Sequence, residues 1–393
     1  MTNPIRVLHV LGGVGLGGAE SRIMDLYRQM DRDEIRFDFL VHSSAVKGGT
    51  FAAWEEEKDD ANDRKKQFYE DEIRAMGGRI FALPKFRVYN YFSYKKAVTA
   101  FFAAHHEFQV VQGHMTSTAA IYLPIAKRFG IPVTVAHARN AGVLKGPKGI
   151  ATRYFRRGLA KKADVLFACS HLAGEDVFGK KAMEQGRVKI IHNAIDVKRF
   201  VFDEKKRQEA REDLKVTDKL VLGHVGRFDY QKNHPYLLEV FAAVCEKRAD
   251  AVLLLLGDGQ ARPAMEERCR ELGIADRVKF LGNRKDTQRF YQAMDVFLLP
   301  SFFEGLPGVL VEAQAAGLAC IVSDTVTREA QATDLISWLS IDELPERWAE
   351  EIVKRASYVR RNTEKELTEA GFDVRTQAAC YAAFYKEGDS SGL

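Results

Sequence analysis

Two short stretches in the second half of the chain combine residue types that could do chemistry. In "GHVGRFDYQKNH", residues 223–234, Arg227 and Lys232 lie five residues apart after an apolar run, in a loop that also holds Gly226 and Asn233. Two cations at the mouth of a parallel sheet suit a diphosphate leaving group, although as isolated surface charges they would be unremarkable. In "DVFLLPSFFEGLPGVLVEAQAAG", residues 295–317, Glu304 precedes a helix opened by Pro307, and Glu312 follows it by eight positions. Proline suits a helix start because its missing N–H would have been unpaired there. The free N–H groups of Gly308, Val309 and Leu310 would then face an anion, with the helix dipole behind them. Glu304 can reach the same place. Glu312, flanked by Val311, Ala313, Ala315 and Ala316, would accept hydrogen bonds from paired hydroxyls such as a ribose offers. The plainer readings are that Glu304 caps the helix and Glu312 lies on a solvated side. No D-x-D pair is suited to bridging a metal to a nucleotide diphosphate. The charge of a departing diphosphate would fall to Arg227, Lys232 and the helix start, as preorganised electrostatic stabilisation.

The first half offers a glycine loop, "LHVLGGVGLGGAES", with Gly13, Gly15 and Gly18 at the G-x-G-x-x-G spacing of a dinucleotide site. Such a site also needs an acid at the carboxyl end of the second strand, to hold the ribose hydroxyls. Asp38 has nearly the right spacing but opens the strand "FDFLVHS", whose far end carries His42 and Ser43. A nicotinamide cofactor is therefore disfavoured, while the side-chain-free loop can still approach another phosphate closely. Tight strand–helix packing is its plain alternative. His114 closes the run "VVQGHM", and His137 and Arg139 close "VTVAHAR". A lone strand-end histidine is more often structural than catalytic.

The elements that would position these residues follow from the hydrophobic pattern. Continuous Val/Ile/Leu runs recur between helix-like segments, seven before Lys198 and five after it. Uninterrupted apolar runs mark strands buried on both faces, hence parallel sheets covered by helices. At 393 residues the chain is too long for one ordinary core. The reading is α/β, with two doubly wound Rossmann-like domains at 1–196 and 197–372. A segment 373–393 holds a last helix, "TQAACYAAFYKE", able to pack back on the first domain. Hydrophobic residues at 46% and charged residues at 29% describe a globular protein, and a net charge of +5 gives no argument for nucleic acid. The cysteines Cys169, Cys245, Cys269, Cys320 and Cys380 lack disulfide or zinc spacing. No signal-peptide layout or spanning run is present, which points to the cytoplasm. The charged run 55–66 reads as an exposed segment without chemistry. The segment 145–162 contains seven Lys or Arg and no acid, with Ala151, Tyr154, Phe155 and Leu159 at helical spacing. Such a basic amphipathic helix can lie on an anionic bilayer, or its apolar face can simply join the core.

The Glu-(seven residues)-Glu motif in "FEGLPGVLVEA", the Arg/Lys pair of "GRFDYQKN", "GDG" at 257–259 and the "GGAE" loop occur in order. Together they resemble the family 4 retaining glycosyltransferases of GT-B fold, over essentially the whole chain. The stretches "RVLHVLGG", "FDFLV" and "PSFFEGLPGVLVEAQAAGL" are similar to bacterial enzymes of exopolysaccharide or capsule biosynthesis. The resemblance implies a nucleotide sugar bound between two Rossmann-like domains, mainly on the second, with the last helix crossing back to the first. It implies that Arg227 and Lys232 hold the diphosphate, beside Gly226. Glu304 would contact the donor sugar, Glu312 the ribose, and Gly308, Val309 and Leu310 the sugar and phosphate. Asn283 and Arg284 stand where the family reads the base, and Gly17 and Gly18 would close over phosphate and acceptor. His114 would position the sugar or acceptor, and His137 and Arg139 would touch the acceptor or its phosphate. Retention is likewise implied by the resemblance alone. UDP-hexoses or UDP-N-acetylhexosamines are the favoured donors, with GDP-sugars second. The acceptor would be a glycan, free or on a polyprenyl diphosphate at the inner face of the plasma membrane. No cofactor or metal is expected. A sugar-nucleotide epimerase or a phosphorylase on the same scaffold, or a silent binding protein, are the competing readings. No pyridoxal-phosphate lysine context favours the phosphorylase, and intact Arg227, Lys232, Glu304 and Glu312 disfavour the silent protein.

Overall fold

The apolar runs become strands of two separate parallel sheets. The computed structural model describes residues 3–54, 66–139, 147–388 and 390. The charged run 55–66, apart from Lys66, and the first two residues of 145–162 lie outside these. The chain divides into one unit of residues 1–193 with 374–393 and another of residues 194–373.

The first unit is built on an eight-stranded sheet. Its strands are β1 (Ile5–Val10), β2 (Ile35–Ser43), β3 (Ala52–Ala53), β4 (Ile80–Pro84), β5 (Val110–Gly113), β6 (Val133–Ala138), β7 (Val165–Ala168) and β8 (Val188–Ile190). They lie in the order β3-β4-β2-β1-β5-β6-β7-β8. All neighbours are parallel except the short edge pair β3–β4. Aromatic side chains fill its interior: Tyr27, Phe37, Phe39, Phe101, Phe102, Phe108 and Phe167 are buried. The last helix, Val374–Glu387, belongs to this unit: its Tyr385 hydroxyl donates to Gln112 Oε1 at 2.7 Å, and Phe384 packs against Phe167.

The second unit has six strands: β9 (Leu220–Val225), β10 (Ala251–Leu256), β11 (Val278–Gly282), β12 (Val296–Leu299), β13 (Ala319–Ser323) and β14 (Ile336–Leu339). All are parallel, in the order β11-β10-β9-β12-β13-β14. The core wraps β9 and β10 with Leu237, Phe241, Val244, Trp348 and Ile352 from covering helices.

Both orders reverse beside the first strand of the unit, between β1 and β5 and between β9 and β12. In doubly wound sheets that reversal opens a crevice at the carboxyl ends of the strands, where ligands bind. Every residue singled out above as a candidate follows a strand end or opens the next helix, except Glu312, which lies within its helix, and His137, which lies on β6.

Asp38 is the fourth residue of β2, which begins at Ile35, two residues before the expected start. Its buried carboxylate receives Arg6 Nε and Nη2 at 2.7 and 2.6 Å and Arg79 Nη2 at 2.8 Å. It ties three strands together and is saturated, so no ribose could use it. The D-x-D spelling Asp31-Arg32-Asp33 falls in the turn before β2, at the amino ends of the strands, away from the crevice. The basic segment 145–162 is not one helix: Pro147–Arg156 is separated from Leu159–Lys162 by Gly158 at φ 72°. A left-handed residue there breaks the amphipathic register, so Leu159 is buried while Tyr154 is exposed.

Candidate active site

In the second unit the crevice is built from the loops after β9 and β12. The chain leaves β9 through Gly226 and Arg227 and forms a single turn at Tyr230–Lys232. It then reverses at Asn233, whose φ of 53° is left-handed, a conformation that asparagine tolerates. Lys232 is largely buried, and its Nζ lies 2.6 Å from Glu304 Oε1 in the loop after β12. Gln231 Nε2 donates to Glu304 Oε2 at 2.9 Å and to the Phe303 carbonyl at 3.0 Å. The Phe302 N–H donates to the Gln231 carbonyl at 2.9 Å, and the Tyr230 ring stacks on Phe302 at 4.7 Å. Five contacts thus fasten one loop to the other. A Cβ at Gly226 would stand 3.1 Å from Lys232 Cδ and Cε and 2.7 Å from His224 Nε2. Only glycine lets the lysine stem lie across the backbone there.

Arg227 differs from Lys232 in being exposed, steered by Asp229 at 2.7 Å. Pro307, with φ −73° and ψ 107°, is the cap of the helix Gly308–Ala315 and stands one position before its first residue. The expectation of three free N–H groups is corrected: Leu310 N donates to the Pro307 carbonyl at 3.0 Å. Gly308 and Val309 have no such backbone partner among the described residues, so the anion-facing donors number two. Glu312 is buried, and the Tyr291 hydroxyl lies 3.0 Å from its Oε2 and 3.1 Å from the Val309 carbonyl. Arg284 grips Asp286 with two bonds of 2.9 Å, its guanidinium 5.0 Å from the centre of the Phe290 ring, while Asn283 before it is exposed. The guanidinium holds the Asp286 carboxyl below the usual range.

In the first unit a buried polar cluster lies where β1, β5 and β6 end. His114 follows β5, and its N–H donates to the Val10 carbonyl at 3.0 Å. Arg139 Nε donates to His114 Nδ1 at 3.4 Å, which leaves the ring proton on Nε2, 3.1 Å from His9 Nδ1. Both ring nitrogens of His114 are therefore engaged, and a substrate hydroxyl would have to displace Arg139 or His9. Gln112 Nε2 donates to His137 Nδ1 at 3.0 Å. Arg139 also reaches Asn193 Oδ1 at 2.8 Å. Burial, with the Arg139 charge added, pushes His9 down to about 3 and His114 and His137 well below the ordinary imidazole value. All three are neutral at physiological pH. His9 Nε2 and His137 Nε2 have no hydrogen-bond partner among the described residues.

The glycine loop leads from β1 into the helix Gly18–Gln29, capped by Gly17 without a side-chain bond. Gln67 Oε1 accepts from Val14 N at 2.6 Å and lies where a Cβ on Gly13 would fall, 2.7 Å away. Gly15 and Gly18 have open space. The Glu20 carboxylate lies against Gly17; burial raises its pKa, opposed by the nearby Arg139.

The sequence reading therefore brings together Arg227, Lys232, Glu304, Gly226 and the helix start in one unit. It brings together His114, His137 and Arg139 in the other. It missed Gln231, Tyr291 and Asp286 in the second unit, and His9, Glu20, Gln112, Asn193 and Tyr385 in the first. The available signals were a polar His9 inside the apolar run "VLHVLG" and the acid of "GGAE".

Two Rossmann-like units, each with its polar cluster at the topological reversal, are the architecture of the GT-B fold. Residues 219–357 match the family described as Glycosyl transferases group 1, and residues 16–199 match Glycosyltransferase Family 4. EpsF of Bacillus subtilis strain 168, which bears a glycosyltransferase name, is 33% identical over 388 residues, covering 97% of this chain and 96% of its own. An Escherichia coli UDP-Gal:alpha-D-GlcNAc-diphosphoundecaprenol alpha-1,3-galactosyltransferase is 26% identical over 226 residues, covering 56% of this chain and 58% of its own. Among solved structures, Anabaena HepE in complex with UDP-glucose superposes with a TM-score of 0.70 at 18% identity, over 96% of this chain and 99% of its own. The chain belongs to the family 4 glycosyltransferases.

Proposed function

We propose that the protein is a retaining hexosyl- or N-acetylhexosaminyltransferase of exopolysaccharide or capsule assembly, using a UDP-sugar and no metal ion. GDP-sugars are the second choice of donor. The observation that carries the reading is the Lys232–Glu304 pair at 2.6 Å, which sets a cation and a carboxylate together where the loops after β9 and β12 meet, the second of which leads into the helix that begins at Gly308. Lys232, Arg227 and the Gly308 and Val309 N–H groups meet the negative charge that grows on the diphosphate as the anomeric C–O bond breaks. Glu304 takes the sugar hydroxyls, Glu312 the ribose hydroxyls, and Asn283 with Arg284 the base. His114, His137 and Arg139, with Gly17 and Gly18, face the acceptor.

The transfer is front-face. The bond to the departing phosphate oxygen breaks, the acceptor oxygen bonds the anomeric carbon on the same face, and the acceptor proton passes to that phosphate oxygen. The neutral, buried histidines position groups without taking the proton. UDP in the HepE complex and the diphosphoundecaprenol acceptor in the E. coli relative's name support the donor and the lipid-linked acceptor. No helix among the described residues is long and apolar enough to cross a membrane. The acid-free segment 145–162 supports contact with an anionic bilayer, at its cytoplasmic face.

The test is transfer of radiolabelled sugar from a panel of UDP- and GDP-sugars to a polyprenyl-diphosphate-linked saccharide, with and without EDTA. The expected result is product with a UDP-sugar, with retained anomeric configuration and full activity in chelator. Loss of transfer in EDTA would contradict the metal-free mechanism, and inverted product would contradict the front-face step.

A further inference from the structure

The first unit carries an exposed apolar and basic face that neither polar cluster uses. It is formed by two segments distant in sequence, residues 85–96 and the helix Pro147–Arg156 with Arg157. Tyr89 and Phe92 are 89% and 84% exposed, and Val88 59%. Ile150 and Tyr154 on the other segment are 67% and 64% exposed. Rings join the two segments. Phe155 packs against Phe86 at 5.1 Å and Tyr91 at 6.0 Å, Tyr91 meets Phe92 at 5.3 Å, and Tyr154 meets Phe155 at 5.4 Å. The outward aromatics therefore stand on one shared, half-buried base of Phe86, Tyr91 and Phe155.

The charge carried by the two segments has one sign, and Arg156 is paired with Asp176 of the helix His171–Phe178 at 2.9 Å. Lys85, Arg87, Lys95, Lys96, Arg153 and Arg157 are all exposed. No Asp or Glu occurs between Pro84 and His106, nor between Lys145 and Ala163. A soluble face seldom presents two nearly bare aromatic rings beside a phenolic ring and an isoleucine. Tyrosine and phenylalanine set among Lys and Arg fit the boundary between headgroups and acyl chains: the rings enter and the cations stay with anionic headgroups.

We infer that this face is a docking site for an anionic lipid bilayer, with Tyr89 and Phe92 as its inserted anchors and Arg153 and Arg157 as its electrostatic contact. The inference rests on the membrane-linked acceptor reading for its purpose, and it extends the contact from one segment to two. A second copy of the chain would not suit the face, because it would set like charges against each other.

The test is co-sedimentation of the full chain with sonicated vesicles of phosphatidylglycerol and phosphatidylcholine, against vesicles of phosphatidylcholine alone. Three variants, Y89S/F92S, I150S/Y154S and R153Q/R157Q, are compared with the parent, each with its melting temperature and UDP affinity measured to show an intact fold. We expect binding to anionic vesicles only, weakened tenfold or more by 0.5 M salt and by Y89S/F92S, and severalfold by the other two. Unchanged binding of Y89S/F92S would overturn the two-segment face while leaving contact through 145–162 standing. No vesicle binding by the parent, or a dimer in sedimentation velocity that Y89S/F92S dissolves, would overturn the bilayer as occupant. None of these outcomes touches sugar transfer, which is read separately with a water-soluble acceptor.

Discussion

In the proposed mechanism Lys232 and Arg227 do the same electrostatic work from different settings, so their substitutions separate chemistry from folding. Arg227 is exposed, and Arg227→Ala should leave the melting temperature unchanged while slowing transfer by about 10², as loss of one preorganised donor does. Lys232→Ala should slow transfer at least as much and should also lower the melting temperature, because it strands the buried Glu304 carboxylate. Turnover within a few-fold of the parent in both variants would refute the diphosphate assignment. Glu312→Ala should weaken UDP binding about tenfold, roughly what one charge-assisted hydrogen bond contributes, and unchanged affinity by calorimetry would place Glu312 outside the site. Arg227, Lys232 and Glu304 were legible because each stands in a loop after a strand end in a short motif, and Glu312 because it interrupts an otherwise apolar helix. His9, Gln112 and Tyr385 were not: they lie inside elements, and only the β1–β5 neighbourhood and the return of the last helix bring them to His114 and His137.

Buried strands announce themselves by continuous apolar runs, and the twelve such runs become the ten inner strands of the two sheets and two of their edges, β8 and β11. The two strands without that signature are edges. β3 has two residues, and β14 reads "ISWL" with only its first residue buried. An edge strand half in solvent is not held to the pattern that marks a doubly covered one, although the edges β8 and β11 keep it. Similarly, the helical spacing of Ala151, Tyr154, Phe155 and Leu159 suggests one helix, because a single glycine does not reveal its φ to the reader. Elsewhere glycine is decisive for the loops. Gly257, after β10, has φ 130°, and a Cβ there would stand 2.0 Å from the Gly226 carbonyl oxygen. Gly257→Ala should therefore destabilise the second unit by more than about 2 kcal/mol and displace the Gly226–Arg227 loop. Urea unfolding would show the loss; a midpoint matching the parent would mean the loop adapts freely.

At the scale of the molecule, the division into two α/β units followed from the rhythm of apolar runs, and the return of the last helix from the family resemblance. Each unit locks neutral histidines inside, and this sets the response to acid. Burial lowers His9 to about 3, and His42 and His234 to about 4, from 6.5. Between pH 6.5 and about 4 the unfolded chain binds protons that the folded chain refuses. Stability thus falls as pH falls through that window, by up to about 1.4 kcal/mol per pH unit for each histidine. The melting temperature should be level above pH 7 and drop steadily from 6.5 to 4; a flat profile across that range would contradict neutral burial. The central claim is that a sugar nucleotide's diphosphate is held by two side-chain cations and a helix start without a divalent ion. A crystal structure of the complex with UDP, grown in EDTA, tests it most directly. The account predicts diphosphate oxygens within hydrogen-bond distance of Lys232 Nζ and of the Gly308 or Val309 N–H. A diphosphate lodged elsewhere, or one that binds only when magnesium or manganese is restored and coordinates it, would contradict the account.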